Sequence, residues 1–159
     1  MIHVFASIAK VVSGWSWLQR LARDRQLYVK DRNEHMAKFQ ASARAAVRAL
    51  DRATEVGLPL PEDWDWDAKL TQNVSEIRAQ LHAAVEDAHV EDSYLRAALD
   101  DGDYATARQL WAAVEASPST LEAVWSTNDG AEKARLMENG RTSVREATAA
   151  VEAKFAGGR

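Results

Sequence analysis

A chain of 159 residues that is 47% hydrophobic and 28% charged lies within the range of a single globular domain and away from intrinsic disorder. It has no cysteine, which excludes disulfides, thiolate metal ligation and cysteine nucleophiles and fits a reducing, cytoplasmic setting. Its net charge of −4 gives no general attraction for nucleic acid, yet the charge is unevenly spread. Residues 1–56 hold ten Lys/Arg against five Asp/Glu, residues 59–103 three against twelve, and residues 104–159 seven of each. A basic first element and an acidic second one favour packing side by side.

Strong helix formers dominate, and no stretch alternates apolar and polar residues between turns. The expected fold is all-α: one domain over 1–159, a long antiparallel helical hairpin with a cluster of shorter C-terminal helices, bundle-like overall. The first element, 1–56, is a basic long helix with apolar residues at Val4, Ile8, Val11, Trp15, Leu18, Ala22, Val29, Met36, Phe39, Ala43, Ala46 and Leu50. A break near Ser13-Gly14 is the alternative to one continuous helix. The stretch 57–65, "GLPLPEDWD", reads as a proline-rich turn, because Gly57 can take a left-handed cap and Pro59 and Pro61 cannot continue a helix.

An acidic long helix follows over 66–101, with Leu70, Val74, Ile77, Leu81, Ala84, Val85, Ala88, Leu95 and Leu99 on its stripe. Residues 103–156 divide into short helices. Breaks are expected at Gly102, at Ser117-Pro118, at "NDGAE" with Asp129 and Glu132 placed as a capping box, and at Asn139-Gly140. The final helix carries Val144, Ala147, Val151 and Phe155, and residues 157–159 are expected to fray.

The opening segment bears most on function. On a helical wheel Val4, Ile8, Val11, Trp15 and Leu18 share one arc, whereas His3, Ser7, Lys10, Ser13 and Arg20 fall largely outside it. Such a two-sided segment is not a transmembrane span, and nothing in it reads as a secretory signal. It can face a bundle core, dock on a partner or a second copy, or lie on a membrane surface with Trp15 and Trp17 at the boundary and Arg20, Arg23 and Arg25 near anionic headgroups. Trp64 and Trp66 stand among aspartates, of which Asp63 or Asp65 caps the second helix; the tryptophans either mark that helix start or contact a partner.

Catalytic chemistry is not legible. His82, Glu86 and His89 share a helical face at metal-ligand spacing, but a di-metal bundle site needs a second such motif. They read as a solvated polar face, and no metal or cofactor is expected. The acidic pairs Glu91-Asp92 and Asp100-Asp101 read as solvating charges rather than a general acid/base couple. Arg44, Arg48 and Arg52 recur every four residues as a basic ridge, which suits phosphate binding, solvation, or a seam with the acidic helix.

"YLRAALDDGDYATARQLWAAVEASPS", residues 94–119, resembles the middle of a tetratricopeptide-type helical hairpin. The turn glycine and tyrosine of that family match Gly102 and Tyr104, its small packing residue Ala107, and its closing proline Pro118. The resemblance implies a local two-helix hairpin and peptide binding; no second copy stands about 34 residues away. The function expected from the whole sequence is non-enzymatic: a protein–protein interaction module serving as subunit, adaptor or inhibitor of a larger complex. Its Arg- and Ala-rich composition suits a bacterial or phage gene, and self-association fits its long amphipathic helices. A peripheral membrane protein using residues 2–22 is the first alternative, and a metal-binding helical bundle the second.

Overall fold

The computed structural model of the chain describes the backbone of residues 2–55 and 68–156, and side chains over 28–54 and 71–156. Among the described residues the fold is all-α, without strands. Four helices run in chain order: α1 (Ile2–Glu55), α2 (Ala68–Ala98), α3 (Asp101–Ser126) and α4 (Gly130–Phe155). The residues between α1 and α2, where a proline-rich turn is expected, lie outside the described ones. No helix among the described residues is long and apolar enough to cross a membrane.

The chain forms two compact units, Met1–Glu34 and His35–Arg159. In the first, side chains are described from Tyr28, which is 40% exposed, and Arg32 donates to Asn33 Oδ1 at 3.5 Å.

The second unit is an antiparallel four-helix bundle, and its ion pairs and side-chain contacts give the register. His35 and Arg52 of α1 meet Glu91 and Glu76 of α2. Arg78 and Asp92 of α2 meet Glu122 and Tyr104 of α3. Asp103 of α3 meets Lys154 of α4, and Arg141 of α4 returns to Asp51 of α1 at 3.0 Å. In each pair of neighbours, rising numbers on one helix meet falling numbers on the next. Connections of two or three residues between α2 and α3 and between α3 and α4 permit nothing else. The core is continuous and mostly aliphatic, with Phe39, Leu50, Ile77, Leu81, Leu95, Leu110, Leu121, Val144 and Val151 all fully buried. These are the positions that the three- and four-residue apolar spacing marks out.

The C-terminal half differs from the expected cluster of short helices: it is two helices of 26 residues each. Pro118 lies inside α3. A proline there removes the N–H that would bond the carbonyl four residues back, that of Val114. The hydroxyl of Ser117 takes that place, donating to Val114 O at 2.5 Å and approaching Ala113 O at 3.3 Å. The same dipeptide that reads as a helix start thus repairs a helix interior. The α3 cap is Asp100, whose side chain accepts from Asp103 N at 2.8 Å. Asp129 caps α4 by accepting from Ala131 N, while Glu132 pairs with Arg135 instead of closing a capping box.

Gly140 does not end α4 either. A Cβ built on it would lie 2.8 Å from Thr120 Cγ2 of α3, so the absence of a side chain lets Thr120 lie against the α4 backbone here. Thr120 is β-branched, stiff in a helix, and held by a hydrogen bond to Ala116 O. Gly140→Ala should therefore destabilise the bundle by about 1–2 kcal/mol, overpacking outweighing the ~1 kcal/mol that alanine brings to a helix. Thr120→Ser removes the obstructing methyl, so the double variant should regain wild-type stability or exceed it. Urea titrations of the single and double variants check this, and additive losses would refute it.

Candidate interaction surfaces

The apolar face singled out in the sequence, Val4, Ile8, Val11, Trp15 and Leu18, is carried by the backbone of α1, but its side chains lie outside the described residues. Trp64 and Trp66 lie wholly outside them. The basic ridge is described, and it divides. Arg52 pairs with Glu76 of α2 at 3.5 Å. Arg44 and Arg48 line a shallow groove against α4, over Val47 and Ala149 and opposite Arg145 and Glu152. The cause is helical geometry: each step of four residues overshoots a full turn by about 40°, so the ridge drifts from the α4 side to the α2 side.

His82, Glu86 and His89 are exposed on α2. The rings of His89 and Trp111 lie 5.3 Å apart, and His82 borders a groove beside Pro118 and Glu122. Among the described residues no group of three or more His, Asp or Glu side chains gathers where a metal ion could be held.

The acidic pair Glu91-Asp92 corrects the sequence reading: both residues are buried, and each is held by a partner from another helix. A buried carboxylate is tolerated only when its oxygens are satisfied. Asp92, 1% exposed, accepts the Tyr104 hydroxyl proton at Oδ1 at 2.6 Å, and Arg96 reaches its Oδ2 at 3.4 Å. Arg96 Nε also donates to the Tyr104 oxygen at 3.1 Å. The guanidinium groups of Arg96 and Arg108 stand 5.5 and 5.4 Å from the centre of the Tyr104 ring. Burial, followed by the hydrogen bond to Asp92, pushes the Tyr104 hydroxyl above its ordinary pKa, and the bond to Tyr104 raises that of Arg96. Alongside, His35 Nδ1 meets Glu91 Oε2 at 2.5 Å and the His35 ring stacks on Tyr94 with centroids 3.6 Å apart.

The arrangement clamps the helices together. One carboxylate fixes α2 to α3 and its neighbour fixes α2 to α1. Asp92 has a donor on each oxygen, and the Tyr104 hydroxyl both donates and accepts. A sequence signal for the clamp exists. The α2 stripe runs Ala84, Ala88, Leu95, Leu99, and position 92 is the missing member of that series. An aspartate on an apolar stripe needs a partner facing it.

The tetratricopeptide-like stretch also finds its place. The helical hairpin it implies is α2 and α3, with Tyr104 and Ala107 buried at the turn, but Pro118 lies within α3 rather than closing the unit. The described residues thus define an all-α helical bundle pinned by buried polar pairs. No family model, no curated protein and no solved structure matches the chain.

Proposed function

We propose that this protein is a non-enzymatic protein–protein interaction module, a subunit, adaptor or inhibitor within a larger complex. Its contact elements are the apolar face of residues 2–22 and the tryptophans at 64 and 66. The supporting observation is the self-sufficiency of the bundle. Its core is filled by residues from Met36 to Val151, and the large hydrophobic side chains exposed among the described residues are only Tyr28 and Val90. Docking on another protein needs an apolar centre. The stripe Val4, Ile8, Val11, Trp15 and Leu18 supplies apolar residues at helical spacing that could form such a centre. The partner is another protein or a second copy of the chain, and the absence of cysteine fits a cytoplasmic setting.

The test uses the full chain carrying Val11→Asp together with Leu18→Asp, purified from the native host beside the wild type. The wild type should carry a stoichiometric protein partner or self-associate by light scattering, and the variant should lose it while keeping its helical circular dichroism. Flotation of the wild type with anionic vesicles, abolished by Trp15→Ala, would instead establish the membrane reading. A wild-type protein that is monomeric, without a partner and indifferent to vesicles would sink both.

A further inference from the structure

One spacing runs through the whole of α1. From Val4 to Leu50 the stripe advances by alternating steps of four and three residues without a lapse, at positions 4, 8, 11, 15, 18, 22, 25, 29, 32, 36, 39, 43, 46 and 50. That is the seven-residue repeat of a helix-pairing seam. With Ile8, Trp15 and Ala22 at position a of the repeat, Val4, Val11 and Leu18 take position d, and Phe5 and Val12 widen the face at e. The C-terminal members, Met36, Phe39, Ala43, Ala46 and Leu50, are buried in the core of the second unit. The N-terminal members belong to the first unit, Met1–Glu34, in which α1 is the only helix among the described residues. A lone helix cannot bury its own apolar face, so no element of that unit covers this one.

We propose that residues 4–22 of two copies of this chain pair as an antiparallel, two-fold symmetric coiled coil. The stripe from 4 to 22 has the same spacing in both directions, so reversing a second copy about position 13 sets every a against a d. Position 4 then shares a layer with 22 of the second copy, 8 with 18, and 11 with 15, and symmetry repeats each layer. Charge selects the direction. Arg20, Arg23 and Arg25 stand with Asp24 at the C-terminal end of the stripe, whereas Lys10 is the one Lys, Arg, Asp or Glu over residues 2–19. A parallel pair sets the two cationic ends side by side at the ~8–10 Å of packed helices, with position 25, an arginine at d, facing itself in the seam. The antiparallel pair separates positions 22 of the two copies by about 27 Å along the axis, far beyond the ~8 Å screening length of physiological salt. This deepens the protein-binding reading above, on which it rests, by naming a second copy as the occupant of the 2–22 face.

The chain has no cysteine, so introduced thiols report the pairing without background. Full-length Val4→Cys and Ala22→Cys are purified separately, then oxidised with oxidised glutathione, each alone and mixed. The mixture should form a disulfide-linked dimer several-fold more than either variant alone, because only 4 and 22 share a layer. Ile8→Cys mixed with Leu18→Cys should behave alike and serves if the first pair misfolds. Wild-type light scattering, over a concentration series reaching about 0.5 mM, should rise to twice the monomer mass. Cross-linking of Val4→Cys alone as efficient as that of the mixture would mean a parallel pair and overturn the proposal. So would a dimer in which neither mixture cross-links preferentially, or a wild type monomeric throughout the series. If the chain is monomeric yet carries a different protein that Val11→Asp with Leu18→Asp releases, the self-pairing fails while the protein-binding reading stands.

Discussion

Truncating Phe39 to alanine should lower the unfolding free energy by about 3–5 kcal/mol. Phe39 is the largest of the fully buried side chains, 0% exposed, in one cluster with Ile77, Leu81, Leu95 and Leu110. Its ring therefore belongs to a core to which α1, α2 and α3 all contribute, and no single helix can move in to fill the space it leaves. The cost combines lost transfer free energy with a residual cavity, and a small domain has only ~5–15 kcal/mol in reserve. Phe39→Leu keeps much of the volume and should cost less than about 1.5 kcal/mol. Val90→Ala, at a position 63% exposed, should stay within about 0.5 kcal/mol. Urea unfolding followed by tryptophan fluorescence ranks the three. A Phe39→Ala loss no greater than that of Val90→Ala would mean that α1 residues 35–54 are not integral to the bundle.

The second large effect lies in the Asp92–Tyr104 pair. Removing the tyrosine hydroxyl in Tyr104→Phe leaves Asp92 Oδ1 without its donor at a site closed to water, and should cost about 1.5–3 kcal/mol. Asp92→Ala should cost more, about 3–5 kcal/mol, because it opens space and strands the hydroxyl together. Asp92→Leu combined with Tyr104→Phe replaces the pair by apolar groups, and should lose far less than the two single changes summed. A coupling energy within about 0.5 kcal/mol of zero in that cycle would show that the two groups do not interact.

The pair also sets an alkaline limit. The folded-state pKa of Tyr104 lies above its ordinary value of 10.0, chiefly through burial and then through the hydrogen bond to Asp92. The folded protein therefore holds that proton after the unfolded chain has released it. The stabilisation is complete below pH ~10 and is lost as the pH climbs from there through the folded-state pKa. Wild-type stability should fall above pH 10, and Tyr104→Phe should lack that share of the decline. Superimposable pH profiles would contradict this assignment.

Much of the architecture was legible in the residues because helical periodicity is a local property. The stripes Met36–Phe39–Ala43–Ala46–Leu50 and Val74–Ile77–Leu81–Ala84–Ala88 are read directly from spacing, and each is buried as the spacing requires. The Asp129 cap is equally local. What failed were the punctuation marks. Ser117-Pro118 and Asn139-Gly140 carry the signature of helix ends, but one is repaired by a hydroxyl and the other serves a close helix–helix approach. Both outcomes depend on neighbours that spacing does not display.

The functional surfaces divide in the same way. That Val4, Ile8, Val11, Trp15 and Leu18 share a helical face follows from their order alone. That Arg52 turns to Glu76 while Arg44 and Arg48 face α4, and that Glu91 and Asp92 are buried clamps rather than solvated charges, were decided by tertiary structure. Periodicity specifies which residues share a face of a helix. Only packing determines what that face meets, and the energetics of a charge depend on what it meets.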